Sequence, residues 1–234
     1  MHTGHQQAGG AVATNWRAVF VAGTDTGIGK THAACSLLYA LRAAGYRSCG
    51  MKPVASGCEE TPAGLRNEDA LALQAASSAP PPYELVNPVA LREPLSPHLA
   101  AAREGAAIEL APLRAAYERL LATHQRVVVE GVGGWRVPLA PGLFASELAV
   151  AWALPVILVV GLRLGCLSHA LLSAEAIAAD GCRLIGWIGN RVDPSMAAVE
   201  ENIATLRELL PAPCLGVLPH GPAPAVAARE LAMT

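Results

Sequence analysis

A glycine-rich turn between an apolar strand and a helix constrains the fold of this chain more than any other feature. Residues 19–31 read Val-Phe-Val-Ala-Gly-Thr-Asp-Thr-Gly-Ile-Gly-Lys-Thr, and an apolar helical run continues to Ala44. A loop of this kind directs consecutive backbone N–H groups and the positive end of a helix dipole towards one point. The order of strand, loop and helix predicts a nucleoside-triphosphate site.

Individual residues of this loop suit a triphosphate that carries Mg²⁺. Gly27 and Gly29 let the backbone approach the phosphates, while Lys30 is expected to reach the β- and γ-phosphates. The Thr31 hydroxyl is expected to ligate Mg²⁺. The spacing is a variant, because Thr24 stands where the motif normally has its first glycine. A dinucleotide-binding turn is the alternative glycine pattern, and it fails because its third glycine is absent.

Composition limits the class of protein. The 234 residues are 53% hydrophobic and 15% charged, which suits one α/β domain over residues 16–234 after a disordered tail at 1–15. A formal net charge of -2 provides no basic field for nucleic acid. The six cysteines are widely spaced, so neither a zinc site nor a disulfide framework is expected, and a cytoplasmic location fits. The longest uncharged apolar run, between Glu147 and Arg163, is too short to span a membrane.

Short apolar segments alternate with helical patterns along the chain. The predicted strands are 18–22, 46–52, 126–130, 155–161, 184–190 and 214–218, and the predicted helices are 30–44, 67–76, 110–124, 144–153, 167–179 and 196–210. The strands are rich in Val, Ile and Leu, which is typical of buried parallel strands. The alternation predicts a doubly wound, mainly parallel α/β sheet with helices on both faces, of the P-loop NTPase type. A proline-rich stretch, 77–97, is expected to cross the mouth of this sheet.

Polar residues at the carboxyl ends of the predicted strands are candidates for the site, because ligands bind there in such sheets. Lys52 follows the second strand and is either a solvated surface charge or a cation for an anionic group. Glu130 ends the third strand, where a buried carboxylate needs a cation such as Mg²⁺. Asp69 is a further metal candidate, although the residues alone favour a role in stabilising a helix dipole. Asn190 offers an amide to a nucleobase or, alternatively, begins a turn.

These residues lie in collinear segments that resemble the dethiobiotin synthetase family. The segments are Gly23-Thr-Asp-Thr-Gly-Ile-Gly-Lys-Thr31, Lys52-Pro-Val-Ala-Ser-Gly57, Gly64-Leu-Arg-Asn-Glu-Asp-Ala-Leu71, Glu93-Pro-Leu-Ser-Pro-His98, Glu130-Gly-Val-Gly-Gly-Trp135, Val159-Val-Gly-Leu-Arg-Leu-Gly-Cys166 and Asn190. The resemblance implies that ATP, CO₂ and 7,8-diaminononanoate give dethiobiotin, ADP and phosphate. It implies that one amine captures CO₂ as a carbamate, that the γ-phosphoryl group activates the carbamate, and that the second amine closes a cyclic urea.

The resemblance also implies the roles of individual residues. It assigns catalysis to Lys52, Lys30 and Thr26, and Mg²⁺ to Thr31, Asp69 and Glu130. The implied ATP-binding residues are Gly27, Ile28, Gly29, Lys30, Thr31, His32, Asp69, Glu130, Gly131, Val132, Gly133, Asn190, Arg191, Pro219, His220 and Gly221. The family is a homodimer with its substrate site at the subunit interface. The implied substrate-binding residues are Thr26, Lys52, Ser56 and, contributed by the second subunit, Gly165, Cys166 and Ser168.

Some positions differ from the family pattern, and one alternative class remains. Ser168 stands where Asn is familiar, Arg163 where Lys is familiar, and Gly27 where an acidic residue is often found. The alternative is a switch ATPase of the partitioning or division type, which shares the sheet and a variant P-loop. Those ATPases resemble each other in a lysine near the start of the loop, where this chain has Asp25.

Overall fold

The computed structural model describes residues 15–232, in which strands and helices alternate. The strands are β1 (Ala18–Gly23), β2 (Ser48–Met51), β3 (Val54–Ala55), β4 (Glu59–Thr61), β5 (Gly64–Arg66), β6 (Val89–Ala90), β7 (Arg126–Glu130), β8 (Pro138–Ala140), β9 (Leu143–Phe144), β10 (Val156–Gly161), β11 (Leu184–Asn190) and β12 (Cys214–Leu218). The helices are α1 (Lys30–Ala43), α2 (Glu68–Ala76), α3 (Tyr83–Val86), α4 (Pro97–Glu104), α5 (Leu110–Thr123), α6 (Ser146–Ala151), α7 (Cys166–Ala179), α8 (Val199–Leu209) and α9 (Pro224–Ala227). The predicted tail at 1–15 lies outside the described residues, except for Asn15.

Six strands form one central sheet in the order β2, β7, β1, β10, β11, β12, and every neighbouring pair is parallel. The sequence predicted all six, and the doubly wound α/β fold is confirmed. No helix within residues 15–232 is long and apolar enough to cross a membrane.

Both faces of the sheet are covered by helices, as the alternation of side chains along β1 shows. Val19 and Val21 point to one face, where they are buried in a cluster that includes residues of α1 and α2. Phe20 points to the other face and packs in a cluster that includes residues of α5 and α7. Each fully buried apolar side chain contributes about 1.5–3 kcal/mol to the free energy of folding. Burial on both faces therefore stabilises the sheet whose edge carries the candidate site residues.

The strand register brings the candidate polar residues to one edge of the sheet. Met51 of β2 lies opposite Val129 of β7, so Lys52 and Glu130 follow at the same level. In the same way, Gly161 at the end of β10 lies opposite Asn190 at the end of β11. The parallel arrangement therefore gathers residues that are far apart in the sequence.

The proline-rich stretch contains structure that the sequence did not predict. It forms α3 and the short strand β6, which pairs with β3, two residues after Lys52. The Lys52 N–H donates to the Val86 carbonyl at 2.7 Å, and Asn87 Nδ2 donates to the Lys52 carbonyl at 2.8 Å. This stretch therefore fixes the backbone of Lys52 at the end of β2.

Two predicted helices are shorter than expected. The helix predicted over 144–153 begins only at Ser146, because Phe144 belongs to a small hairpin in which it pairs with Pro138. The helix predicted over 196–210 begins at Val199. Neither difference moves a candidate site residue away from the edge of the sheet.

Candidate active site

The loop between β1 and α1 takes a conformation that needs glycine at two positions. Gly27 and Gly29 have φ angles of 72° and 76°, in the left-handed region. A Cβ atom on Gly29 would lie 2.1 Å from Nδ2 of Asn190, whereas a Cβ atom on Gly27 would meet nothing within 4 Å. Asn190 Nδ2 donates to the Ile28 carbonyl at 2.9 Å. A hydrogen bond thus connects the end of β11 to the middle of the loop, and it forms only because residue 29 has no side chain.

Replacing these two glycines with alanine is expected to have unequal effects. Gly27→Ala should cost about 1–2 kcal/mol of unfolding free energy, because the backbone is left-handed but the space is open. Gly29→Ala should cost about 1 kcal/mol more and weaken ATP binding, because the hydrogen bond from Asn190 to Ile28 is lost as well. Denaturant unfolding and nucleotide titration measure both effects. Equal losses in the two variants would contradict the role given to Asn190.

A buried cluster of charges lies beside the loop. Lys52 Nζ is 2.6 Å from Glu130 Oε1 and 2.9 Å from Asp69 Oδ2. The Thr31 hydroxyl donates to the same Glu130 oxygen at 2.9 Å. Two carboxylates, from β7 and α2, therefore converge on one ammonium group, and a hydroxyl from α1 is bonded to one of them.

The electrostatics of this cluster favour its charged form. Lys52 is 5% exposed and Glu130 only 1%. Burial by itself lowers the pKa of Lys52, but the charges of Glu130 and Asp69 and their hydrogen bonds outweigh it, so the pKa is raised. Burial likewise favours neutral Asp69, yet the adjacent Lys52 holds the pKa of that carboxyl below its usual value. The interpretation of Lys52 as a solvated surface charge is therefore wrong.

The second lysine of the site is held differently. Lys30 is 6% exposed, and its Nζ donates to the Asp25 carbonyl at 2.9 Å. Burial lowers the pKa of Lys30 to about 8, although the charge of Glu130 acts in the opposite direction. An anionic phosphate next to this group favours the protonated form. Lys30 is thus suited to gain its full charge when a phosphate group is present.

Two adjoining cavities contain most of the candidate residues. The first, of about 400 Å³, is lined by Thr26, Gly27, Gly29, Lys30, Thr31, Lys52, Ser56, Asn67, Asp69, Glu130, Val132 and Gly133. The second, of about 350 Å³, is lined by Gly27, Gly29, His32, Asn190, Arg191, Val192, Pro219, His220, Gly221 and Pro222. The loop glycines belong to both cavities. The charged cluster therefore lines the cavity on one side of the loop, and the amide of Asn190 lines the cavity on the other side. The first cavity suits the phosphates of a nucleotide, and the second suits its base.

The donors of the charged cluster fit Mg²⁺. Glu130 Oε2 is buried and has no hydrogen-bond partner within residues 15–232. Such an atom is satisfied by a metal ion or by a water molecule bound to one. In the same range no group of three or more His, Cys, Asp and Glu side chains could hold a metal. Mg²⁺ typically takes one or two protein carboxylates and completes its shell with phosphate oxygens and water, so Thr31, Asp69 and Glu130 suit it.

The remaining candidate residues lie outside both cavities. Ile28 is buried under the loop, where it packs so closely that a Cβ atom on Gly161 would lie 2.6 Å from it. Gly131 is equally crowded by Phe20. The start of α7 is separate from the cavities: Gly165 and Ser168 are exposed there, and Cys166 is buried. Within one subunit, the structure does not bring this segment to the charged cluster.

Sequence reasoning missed Asn67, which lines the first cavity. It was predicted to be the first residue of a helix, but its side chain caps α2 by accepting from the Ala70 N–H at 3.2 Å. The Asn67 N–H in turn donates to Tyr83 Oη at 2.8 Å. The preference of asparagine for the position before a helix was the available signal.

The fold and the site define the chain as a P-loop nucleotide-binding protein of the α/β class. The AAA domain family matches residues 17–225. The ATP-dependent dethiobiotin synthetase of Xanthomonas euvesicatoria pv. vesicatoria (strain 85-10) is 57% identical over 212 residues, covering 91% of this chain and 95% of that protein. That of Xylella fastidiosa (strain 9a5c) is 57% identical over 205 residues, covering 88% and 91%. The chain belongs to the dethiobiotin synthetase family and is an ATP-dependent enzyme.

Solved structures of low sequence identity share the fold. The septum site-determining protein MinD of Pyrococcus horikoshii, complexed with Mg-ADP, has a TM-score of 0.56 at 14% identity, covering 91% of this chain and 89% of that one. The MinC:MinD complex of Aquifex aeolicus has a TM-score of 0.54 at 15% identity, covering 93% and 87%. At this identity only the fold is shared, so these structures give no support to the alternative of a division-type switch ATPase.

Proposed function

We propose that the chain converts 7,8-diaminononanoate, CO₂ and ATP into dethiobiotin, ADP and phosphate at the first of the two cavities. The observation that carries this proposal is the cluster of the buried Lys52 and Glu130 with Asp69, which opens into the same cavity as Lys30. The reaction develops negative charge on a carbamate and on a transferred phosphoryl group. Fixed cations in a cavity shielded from water stabilise such charge effectively.

ATP extends over both cavities in this proposal. The loop N–H groups and Lys30 hold the phosphates, and Asn190 and Arg191 contact the adenine together with the backbone at 219–221. Their positions around the second cavity support this orientation. Thr31, Asp69 and Glu130 would hold Mg²⁺, which would supply positive charge beside the phosphates.

The diamine and its carbamate occupy the first cavity beside Lys52. One amine attacks CO₂ and releases a proton, which gives an anionic carbamate. A carbamate oxygen attacks the γ-phosphorus and ADP leaves. The second amine then attacks the carbonyl carbon and loses a proton, and phosphate departs as the cyclic urea closes. Lys52 stabilises the carbamate and its phosphorylated form, and Thr26 and Ser56 position the diamine from the cavity wall.

The functional unit in this proposal is a homodimer in which the start of α7 completes the substrate site of the second copy. Two apolar side chains near this segment support an interface, because Leu164 is 95% exposed and Leu172 is 61% exposed. Gly165 and Ser168 are exposed in the same region. The free N–H groups at the start of a helix suit the carboxylate of the diamine. We also place the reaction in the cytoplasm, in agreement with six cysteines that are all unpaired.

Coupling of ATP cleavage to the diamine tests the proposed function. ADP release should rise sharply only when 7,8-diaminononanoate and bicarbonate are both present, because the phosphoryl acceptor is the carbamate. Dethiobiotin should form in equal amount, as measured by mass spectrometry. Omitting either substrate provides the control. Vigorous ATP hydrolysis that the diamine does not affect would instead favour a switch ATPase.

A further inference from the structure

The chain contains only two lysines, Lys30 and Lys52, among its 17 Lys and Arg residues. Both are buried, and both line the first cavity. Their ammonium groups have different partners, since Lys30 Nζ donates to a backbone carbonyl and Lys52 Nζ to two carboxylates. The two lysines are therefore a matched pair for distinguishing a general effect of charge from an effect of a specific contact.

The ammonium of Lys52 contacts two of the side chains that suit Mg²⁺, namely Asp69 and Glu130. It contacts Glu130 Oε1 at 2.6 Å and Asp69 Oδ2 at 2.9 Å, and Thr31 donates to the same glutamate oxygen at 2.9 Å. The Glu130 carboxylate, whose side chain is fully buried, needs a cation, because an unpaired buried charge is strongly destabilising, and the half-buried Asp69 adds a second negative charge beside it. A divalent ion at the same oxygens would repel an ammonium group held at hydrogen-bond distance from them.

We propose that Lys52 is the counter-ion of the metal ligands in the metal-free enzyme and that Mg²⁺ displaces its ammonium from Asp69 and Glu130. This inference rests on the proposed function, because it concerns the same metal ligands and the same catalytic lysine. The displaced ammonium becomes available to the carbamate, so Lys52 acts on the substrate only after the metal site is loaded. Asp69 and Glu130 are thus paired with the Lys52 ammonium in the metal-free enzyme and with Mg²⁺ in the metal-bound enzyme.

The proposed displacement involves the side chain of Lys52, whose main chain is held in place. The Lys52 backbone is fixed on both sides by hydrogen bonds to Val86 and from Asn87. The side chain lines the first cavity, which is also lined by Ser56 and Thr26. The proposed rotation of the side chain takes place within this cavity of about 400 Å³ and moves the ammonium from the carboxylates towards the substrate.

Lysine-selective NMR tests the displacement in the wild-type protein. With ¹³C-labelled lysine, the full chain should give two ε-methylene signals, which Lys30→Met and Lys52→Met assign. ADP is added first, and MgCl₂ is then titrated while calorimetry follows saturation. The Lys52 signal should move further than the Lys30 signal and reach the position of an unpaired lysine. A Lys52 signal that stays unchanged at metal saturation would overturn the proposal.

Metal affinity provides a second, independent test. Mn²⁺ binding to the nucleotide-free protein, followed by electron paramagnetic resonance, should tighten about tenfold or more in Lys52→Met, because a competing charge at the ligands has been removed. Lys30→Met is the matched control and should change the affinity less, since the ammonium of Lys30 donates to the Asp25 carbonyl and acts on Glu130 and Asp69 only through its charge. Equal changes, or weaker binding in Lys52→Met, would show that Lys52 only positions the carboxylates.

The two tests separate this inference from the proposed function. Neither the NMR titration nor the Mn²⁺ measurement requires the diamine or turnover. If dethiobiotin forms but Lys52 is not displaced, the proposed function stands and the counter-ion exchange is wrong. If Lys52 is displaced but no dethiobiotin forms, the exchange stands and the assigned reaction is wrong.

Discussion

Replacing Lys52 with methionine is expected to lower kcat about 100-fold or more while ATP binding is retained. The reason is that the variant keeps the loop that binds the phosphates but loses a preorganised charge beside the carbamate, and such losses typically cost 10²–10³-fold. Steady-state kinetics and titration with a fluorescent ATP analogue measure the two effects separately. Because the buried Glu130 and the half-buried Asp69 lose their cation, thermal unfolding must first show that the variant is folded.

Lys30→Met is the control for this prediction. Lys30 is the first residue of α1 and is buried next to the phosphate position, so its loss should weaken ATP binding as well as turnover. An equal loss of ATP binding in the two variants would contradict the division of roles between the two lysines.

Mixing two inactive variants should restore activity if the substrate site is shared between subunits. Lys52→Met removes the catalytic cation, and Ser168→Trp should block the start of α7, where Ser168 is exposed. Under random exchange, half of the dimers are mixed, and each contains one intact site and one doubly damaged site. Roughly a quarter of all sites should therefore recover. Activity is measured as dethiobiotin formed after subunit exchange.

The first control shows that mixed dimers have formed. Native mass spectrometry detects these dimers when one variant is isotopically labelled. Each variant kept alone through the same procedure gives the background. Activity that remains at this background, although mixed dimers are present, would show that Ser168 does not serve the second copy.

Most of the fold and the main positions of the site could be predicted from the sequence, because their signals are local. Apolar strands that end in Glu130 or Asn190 mark both the sheet and its functional edge, and the loop at 23–31 marks the phosphate position. The roles that the resemblance assigned to individual residues stay predictions. The structure adds that Thr31, Lys52, Asp69 and Glu130 form one hydrogen-bonded cluster.

The remaining features depend on contacts between distant segments. The sequence favoured a dipole role for Asp69; the residue does lie in the first turn of α2, but it also pairs with Lys52, which is 17 residues away. No periodic pattern indicates that pairing, since it depends on how α2 packs against β2. The support that Val86 and Asn87 give to Lys52 was missed for the same reason, because proline-rich sequence carries little strand or helix periodicity.

The fate of the oxygen atoms of CO₂ tests the central claim most directly, namely that the γ-phosphoryl group is transferred to a carbamate and not to water. A rapid single turnover with ¹⁸O-labelled bicarbonate and the diamine, in unlabelled water, separates the two possibilities. If a carbamate oxygen attacks the γ-phosphorus, the released phosphate should carry one ¹⁸O and the ureido carbonyl of dethiobiotin another. Phosphate without ¹⁸O, formed while the bicarbonate is still labelled, would contradict the account, because its new oxygen would then have come from water.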